Sequence, residues 1–447
     1  MDFSEIKRIF ADESEKLGIT EYEIYYVSGS SVSTETLKDD ISSFSSGVHR
    51  GICFRCADGG KIGYASSEFF EENELRSLVS RAAENAKIIE KTGDVIFAGS
   101  KEYAKLPERK AHEPMGAAEL KKTALEIQKK MYDRDSGVTD GTQSYAMSEF
   151  SELRIVNSHG LDLCRSAGIN AVYAIPVIKD GEESQSDYEL ARLDEKIDID
   201  GLVTKALNKT REKFCAKSIP SGKYNVVMDS EQMRSLLSVF SSAFYAKQAQ
   251  NGLSVLAGKE GEKIAADIIT ITDDPMREGN HFITNFDAEG VAAYKKTVVD
   301  SGVLKTLLYN LESAKKAGVE STGNASKGGY NAPVGTSAYA FCIEKGDLTF
   351  GELLNLAGNG ILITELKGLH AGADPVTGDF SLESAGFMLE NGKKTFAVKN
   401  FTLAGNFFEL LKSVKALSDE VDIGPIGGYT VFGSPAALFE NMSVAGE

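Results

Sequence analysis

The spacing of apolar residues along this chain switches repeatedly between a helical period and a period of two. Residues 2–17 carry apolar side chains at helical spacing, whereas residues 21–27 alternate as a strand does. Further strand-like runs follow, and two helical patterns separate them from a second strand-rich stretch at about 145–187. Because helices and strands do not alternate as regular β–α–β units, the sequence predicts an α+β fold with antiparallel sheets.

The length of 447 residues exceeds what one hydrophobic core usually serves, so two or three domains are expected. The segment 218–222, which contains Pro and Gly, is the clearest candidate boundary. We therefore predict two domains. An N-terminal α+β domain over 1–218 combines a helix with an antiparallel sheet, and a larger C-terminal domain over 219–447 is rich in strands. Within the second domain, Asn391-Gly392 predicts a two-residue hairpin turn.

The chain is acidic, with a net charge of −17 and an isoelectric point of about 5.0. This balance repels phosphate backbones and anionic lipids, and no local basic patch offsets it. The first residues lack the apolar run of a signal peptide, and no stretch approaches the ~18 apolar residues of a membrane span. The sequence therefore predicts a cytoplasmic protein that binds neither nucleic acid nor membranes.

Transition-metal ligands are scarce, because the chain has five His and five Cys. Cys53 and Cys56 have the C-x-x-C spacing of redox motifs and zinc knuckles. They lie in a strand pattern, however, where positions three apart point to opposite faces, and no second pair or nearby His completes a tetrahedral site. We interpret them as ordinary strand cysteines and predict that all five thiols are reduced.

The densest polar and glycine-rich stretch is 368–381. Its glycines permit close approach of another backbone, and His370, Asp374, Asp379 and Ser381 offer titratable and hydrogen-bonding groups in one loop. Two interpretations stay open at this point. The stretch is either a binding loop or a long structured turn with the same composition.

Several segments, taken together, form a recognisable combination. They are 51, 58–59, 63–66, 321–325, 366–372, 374–381, 385–387, 390–392, 401–406 and 441–446. The combination resembles the TldD/PmbA family over essentially the whole chain, although no single segment would be specific.

The resemblance implies a two-domain α+β protein that assembles as a dimer around an enclosed cleft. TldD-like subunits of the family are zinc metallopeptidases, in which a His-Glu-x-x-x-His helix and a Cys near the C-terminus hold the metal and the Glu activates water. PmbA-like subunits, also called TldE, lack those ligands and pair with TldD to act on peptides or unfolded substrates. Members of the family are also labelled modulators of DNA gyrase.

The segment 252–258 resembles the stretch that follows the metal-binding helix in the family. Counting back from it without gaps, the three motif positions fall on Leu237, Ser238 and Ser242. Leucine offers no lone pair, and a neutral serine hydroxyl is a poor zinc ligand.

The choice of register hardly matters, because no His occurs between His159 and His281. There is also no Cys after Cys342, so the C-terminal ligand is missing as well. The resemblance is therefore to PmbA, and no cofactor is expected in this chain; zinc is expected only in a TldD-type partner.

These observations predict a non-catalytic, PmbA/TldE-like subunit of a cytosolic TldD–TldE-type metallopeptidase complex, which acts on peptides or unfolded substrates. Its partner is a TldD-like subunit or a second copy of itself, and it has no catalytic or metal-binding residues of its own. We predict that six residues bind the peptide backbone through hydrogen bonds: Thr322, Asn324, His370, Asp374, Asp379 and Ser381.

Two alternatives belong to other functional classes. The chain is a stand-alone peptidase whose unrecognised site is built around His370 and Asp379, with His281 or Glu289. Alternatively, it is a homodimeric, non-enzymatic module that captures extended peptides against a sheet edge. A direct role on DNA is disfavoured by the acidic balance.

Overall fold

The computed structural model describes residues 2–89, 97–108, 112–192, 198–424 and 430–447. Within these residues the helices are α1 (Phe3–Lys16), α2 (Glu72–Ile88), α3 (Ala117–Arg134), α4 (Ile199–Glu212), α5 (Ser230–Phe240), α6 (Ala246–Gln250), α7 (Leu311–Ala317), α8 (Phe350–Ala357), α9 (Leu369–Gly372) and α10 (Phe407–Ser413), and a 3-10 helix spans Ser241–Phe244. Every helix of the described residues is too short or too polar to span a bilayer.

The strands of the described residues are β1 (Tyr22–Leu37), β2 (Asp40–Asp58), β3 (Lys61–Ser67), β4 (Gln143–Asn157), β5 (Asp162–Ile175), β6 (Val177–Asp180), β7 (Glu183–Ser186), β8 (Glu189–Arg192), β9 (Gly222–Met228), β10 (Ile271–Asp273), β11 (Lys296–Asp300), β12 (Val303–Leu304), β13 (Ala325–Ser326), β14 (Gly335–Thr336), β15 (Ala340–Ile343), β16 (Gly360–Lys367), β17 (Asp379–Glu390), β18 (Lys393–Asn406), β19 (Val414–Leu417), β20 (Asp422–Gly424), β21 (Val431–Ser434) and β22 (Ala437–Ala445). The predicted α+β class is confirmed.

Local sequence chemistry accounts for several of these boundaries. Asp2 caps α1 in a capping box with Glu5, which satisfies backbone N–H groups of the first turn. Asn391 and Gly392 both have positive φ, at 51° and 74°, and join β17 to β18 as the predicted hairpin turn. The sequence predicts a short helix near 350–357, and the structure forms α8 there, which begins after the capping residue Thr349.

The N-terminal sheet has the strand order β3-β2-β1-β4-β5-β8, and neighbouring strands are antiparallel. Even-numbered residues such as Ile24 and Phe54 pack with α1 and α2, and Val172 packs with α3 and α4 on the same face. Odd-numbered residues such as Tyr25 pack against Phe286 and its neighbours in the C-terminal domain. The sheet therefore lies between a layer of helices and the second domain.

The C-x-x-C pair divides between these two faces. Cys53 packs with Tyr25 and Phe286, whereas Cys56 packs with Phe10 and Phe54 among the helices. Both thiols are free and buried, and burial raises the pKa of Cys56 to about 11. The prediction of two ordinary strand cysteines pointing to opposite faces is confirmed.

The C-terminal domain contains two further six-stranded sheets. One has the order β18-β17-β16-β9-β22-β19 and the other the order β12-β11-β10-β15-β21-β20. Helix α5 packs between them, because Leu236, Leu237 and Phe240 lie in the same buried cluster as Ile361 of the first sheet and Phe341 of the second. The helix after Met228 is thus a central core element.

Two predictions of regular structure need correction. The sequence pattern predicts a helix from 230 to about 247, but α5 ends at Phe240, because Leu308 donates a backbone hydrogen bond to Phe244 and accepts one from Ala246. The alternating pattern of 267–273 predicts a strand over that range, but only β10 forms, because the Ile269 backbone N–H turns back to bond the Ala266 carbonyl.

The predicted division at residue 218 stays a prediction. Every sheet strand up to β8 precedes it and every strand from β9 onward follows it, so no sheet of the described residues mixes the two parts. The connecting segment is nevertheless well anchored. Ile219 is buried in the core of the C-terminal domain, and Lys217 bonds Ala397 and Lys399 of β18 through its backbone.

Candidate functional site

A cavity of about 780 Å³ lies where the two domains meet. One side is formed by β8, the last strand in the order of the N-terminal sheet. The opposite side is formed by β20, the last strand of the second C-terminal sheet. In the described part of the chain neither strand has a neighbour on its outer side, so each leaves a row of backbone N–H and C=O groups available.

A second cavity of about 740 Å³ adjoins the first, and the two share Arg192, Asp419, Glu420 and Ile423 in their walls. We call the two cavities together the interdomain cleft. Its two free strand edges suit an extended chain better than a compact small molecule.

Helix α5 begins in the wall of the cleft. Its N-cap residue Asp229 accepts a hydrogen bond from the backbone of Gln232, and burial raises the pKa of Asp229 to about 7. Tyr188 donates to Glu231 at 3.0 Å, and burial, reinforced by the Glu231 carboxylate, raises the pKa of this phenol. The phenol therefore stays protonated and acts as a hydrogen-bond donor.

Most charges in the first cavity are held in ion pairs. Lys209 contacts Glu189 at 2.6 Å, and Arg234 pairs with Asp422 of β20. The Arg234 pair links helix α5 to the edge strand and fixes the wall of the cleft.

The junction of the two cavities contains two carboxylates that, unlike those just named, are not held in ion pairs within the part of the chain that the structure describes. Among the described residues, the side chains of Asp419 and Glu420 make no ion pair. Unpaired carboxylates in a shared wall attract cationic or N–H-rich groups. Arg192 lies in the same wall, so the junction carries two carboxylates and one guanidinium, a net negative charge that suits a basic group.

Four of the predicted binding residues lie elsewhere: His370 is in the short helix α9, Asp374 follows it, and Asp379 and Ser381 are at the start of β17. His370, Asp374, Asp379 and Ser381 are all exposed. The Asp374 backbone N–H donates to the Asp379 carbonyl at 2.8 Å, and Asn406 donates to the Asp379 carboxylate at 2.9 Å, which lowers the pKa of Asp379. These bonds shape the loop itself, and none of the four residues lines the interdomain cleft.

The other two predicted residues are buried. The Asn324 amide donates to Asp273 at 2.7 Å and to the Ser337 carbonyl at 2.9 Å, and Thr322 donates to the Asn324 side chain at 2.8 Å. Lys296 completes the cluster by contacting Asp273 at 3.2 Å. The six residues thus form two separate groups, one exposed and one internal, and their role in peptide binding stays a prediction.

Glu289, which the stand-alone peptidase alternative invokes, lies at the boundary between the domains. Its carboxylate accepts a hydrogen bond from the Leu311 backbone at 2.9 Å, and burial together with the neighbouring Asp287 raises the pKa of Glu289 to about 8. In the ranges that the structure describes, His, Cys, Asp and Glu do not gather in any group of three that could hold a metal ion.

Three consecutive parts of the chain match family models. Residues 22–86 match PmbA/TldA metallopeptidase domain 1, residues 110–214 the central domain, and residues 221–446 the C-terminal domain. The chain belongs to the PmbA/TldD metallopeptidase family. The resemblance inferred from the sequence is therefore confirmed.

Relatives within the PmbA/TldD family cover nearly the whole chain. An uncharacterised protein of Methanocaldococcus jannaschii is 30% identical over 429 residues, which are 94% of this chain and 95% of the relative. The crystal structure of a candidate modulator of a DNA gyrase from Thermotoga maritima has a TM-score of 0.88 and 29% identity, covering 99% of this chain and 100% of its own. TldE from Thermococcus kodakarensis, at 23% identity and a TM-score of 0.82 over 98% and 99% of the two chains, shares the fold.

The PmbA/TldD resemblance assigns the zinc motif to positions 237, 238 and 242, and the structure tests whether the residues there fit a metal. Leu237 is fully buried in the hydrophobic core, and Ser242 lies in the 3-10 helix after α5 has ended. Neither α5 nor the residues up to Gln250 include His or Cys. The donor set does not fit zinc, and we derive no chemical step through a metal in this chain.

Sequence reasoning missed the interdomain cleft. Its walls come from β8, the start of α5 and the segment 418–424, which are far apart in the chain and match no motif. The only sequence signal for the cleft was weak: two consecutive acidic residues, Asp419 and Glu420, follow strand β19 after one intervening residue. Their position at the cavity junction becomes visible only when the sheets are assembled.

Proposed function

We propose that this chain is the non-catalytic, PmbA/TldE-like subunit of a cytosolic TldD–TldE-type peptidase, and that it holds an extended peptide in the interdomain cleft. The TldD-like partner would supply the zinc and the hydrolytic step. Membership of the family supports the assignment to peptide chemistry.

One observation carries the proposal: helix α5 lines the cleft with Asp229, Glu231 and Arg234 but bears neither His nor Cys. The resemblance equates α5 with the helix that holds the metal in TldD-like subunits, and α5 offers neither His nor Cys as a donor. A cleft without a metal-binding set can bind and orient a peptide, whereas bond cleavage needs activated water from another source.

The walls of the cleft suggest how the peptide is held. An extended peptide placed beside β8 or β20 can pair with the outer backbone groups of that strand, which gives affinity that depends little on side-chain sequence. Asp419 and Glu420 then favour Lys or Arg side chains where the two cavities meet.

Reconstitution tests the proposal. The chain is mixed with the TldD-type chain from the same organism, and cleavage of an unfolded, Lys-containing peptide is followed together with complex formation. We expect no cleavage by this chain alone and cleavage by the mixture that exceeds that of the TldD-type chain. A partner that neither binds this chain nor gains activity from it would refute the proposal.

The matched variants are Asp419→Arg, at the cavity junction, and Asp58→Arg, at the exposed end of β2. Reversing the charge in the cleft should weaken peptide binding by about tenfold, which corresponds to ~1.4 kcal/mol, and the turn variant should behave as the wild type.

Elemental analysis separates the proposal from the stand-alone peptidase. Stoichiometric zinc in the purified chain, with cleavage that a chelator abolishes, would establish the alternative.

The name modulator of DNA gyrase belongs to the Thermotoga relative. For this chain a DNA-directed role lacks electrostatic support, since the net charge is −17.

A further inference from the structure

The first cavity of the interdomain cleft has an aromatic wall. It is formed by Tyr173 of β5, Tyr188 directly before β8 and Phe350 at the start of α8. Tyr188 is 42% exposed and Phe350 is 41% exposed, although both side chains carry large apolar rings. A bound apolar group would remove these rings from water, which favours binding. We call the three residues the aromatic wall.

The two tyrosine rings of the aromatic wall are held in position. Their centroids lie 6.4 Å apart, and the Tyr188 hydroxyl donates a hydrogen bond to Glu231 at 3.0 Å. Tyr145 of β4 packs against the Tyr173 ring in an edge-on arrangement, with the centroids 5.9 Å apart. Rings that already have fixed partners lose little conformational entropy when a ligand binds beside them.

The aromatic wall and the acidic junction lie at opposite ends of β8. Tyr188 directly precedes this strand, and Arg192, its last residue, lies at the junction with Asp419 and Glu420. Each strand residue advances the chain by ~3.3 Å, so the two ends are ~13 Å apart. An extended peptide beside β8 advances at the same rate, and its side chains i and i+4 point to the same face.

We propose that the aromatic wall binds an aromatic side chain of the peptide held in the interdomain cleft, four residues from the Lys or Arg at the junction. The inference rests on the proposed function and names the class of peptide that the cleft selects. The spacing applies to both directions of pairing with β8, because parallel and antiparallel strands have nearly the same rise. Charge complementarity positions one end of the peptide, and ring packing positions the other.

The wall favours an aromatic side chain over an aliphatic one. Aromatic rings packed in an offset or edge-on geometry are stabilised beyond the area that they bury, which corresponds to about two- to tenfold in affinity. Leu190 of β8 and Ile423 of β20 add apolar surface to the same cavity. The described wall of the second cavity consists mostly of charged residues, so the two ends of the cleft differ in chemistry.

Fluorescence anisotropy with the full chain and labelled peptides tests the side-chain class and the spacing. The host peptide contains Gly and Ser with one Lys, and it carries Phe, Leu or Ala four residues from the Lys. A fourth peptide places Phe three residues from the Lys, which turns the two side chains to opposite faces. Relative to the first Phe peptide, we expect Ala to weaken binding about tenfold, Leu about threefold and the shifted Phe about fivefold. A Phe peptide that binds no more tightly than any of these three would overturn the proposal.

Two variants of one helix test the aromatic wall itself. Phe350→Ala removes a ring of the wall, and Leu356→Ala is the matched control, since Leu356 is 59% exposed on α8 and lines neither cavity in the described part of the chain. Phe350→Ala should weaken the Phe peptide about fivefold and leave the Ala peptide unchanged, whereas Leu356→Ala should bind both as the wild type does. Circular dichroism checks that both variants are folded, and the peptide series on the wild type does not depend on them. Equal weakening of both peptides by Phe350→Ala, or weakening of the Phe peptide by Leu356→Ala, would contradict the proposal.

Failure of this inference can be distinguished from failure of the proposed function. If the four peptides bind the wild type equally and Asp419→Arg weakens them all, the proposed function stands and the aromatic wall is refuted as a binding subsite. If none of the peptides binds, or if Asp419→Arg leaves binding unchanged, the proposed function fails and this inference fails with it.

Discussion

Arg55 of β2 donates two hydrogen bonds to Glu23 of β1, at 2.8 and 3.0 Å, and the two residues are directly opposed in the register of the sheet. Glu23 is buried and the Arg55 side chain is 12% exposed, on the face that meets the C-terminal domain, and Glu289 interacts electrostatically with Arg55 when its carboxyl group ionises. The Arg55 guanidinium thus neutralises the buried Glu23 carboxylate close to the C-terminal domain.

Replacing Arg55 by Met should therefore destabilise the protein strongly. The substitution leaves the buried Glu23 carboxylate without a partner, which costs about 3–5 kcal/mol. The exposed pair Lys7–Asp162 offers a control, because Lys7→Met should change the free energy of unfolding by less than about 1 kcal/mol. Denaturant titration of both variants measures the difference, and equal effects would contradict the buried-pair interpretation.

Stability should decrease between neutral and alkaline pH. Burial raises the pKa of Glu289 from 4.5 to about 8, so the folded state binds this proton more tightly than the unfolded state. Such a contribution is fully present below pH 4.5 and is lost as the pH rises through 8. Glu289→Gln keeps an acceptor for Leu311 and should lose much of this pH dependence, whereas exposed Glu262→Gln should retain it. Melting temperatures at pH 6 and pH 9 provide the comparison; parallel curves for all three proteins would refute it.

The thiols should fall into two classes. Cys164 and Cys215 are exposed, whereas Cys53, Cys56 and Cys342 are buried, and burial raises the pKa of Cys342 to about 12. A thiol reagent should modify two cysteines quickly in the native protein and all five after denaturation, because thiolate and access are both needed. Rapid modification of more than two would show that the interior opens.

Asn324 and His370 should behave differently although both were predicted to bind peptide. Asn324→Ala removes donors to Asp273 and Ser337 in the core and should cost about 1–3 kcal/mol of stability. His370 is exposed, so His370→Ala should change the free energy of unfolding by less than ~0.5 kcal/mol. His370→Ala is therefore the cleaner test of loop function, measured as cleavage by the reconstituted complex. Undiminished cleavage would remove the loop from the binding site.

The candidate site was only partly accessible to sequence reasoning. Positions 237, 238 and 242, to which the resemblance assigns the zinc motif, carry Leu, Ser and Ser, so the sequence alone predicts that a TldD-type metal set is missing. It could not distinguish an exposed loop at 368–381 from the internal cluster around Asn324, because both combine glycine with polar residues. Burial separates them, and burial depends on contacts with Asp273 and Ser337 that lie elsewhere in the chain.

Sequence by itself determined the local elements of this protein. The turn at Asn391-Gly392, the bounds of α8 and the opposite faces of Cys53 and Cys56 follow from φ preferences, capping and strand alternation, which act over a few residues. Tertiary structure decided the end of α5 at Phe240, where Leu308 supplies competing backbone bonds. It also decided the pairing of β1 with β4 and the meeting of β8 with β20 across a cleft. The physical reason is that strand partners and free edges depend on which distant segments compete for the same backbone groups, and no local pattern records that competition.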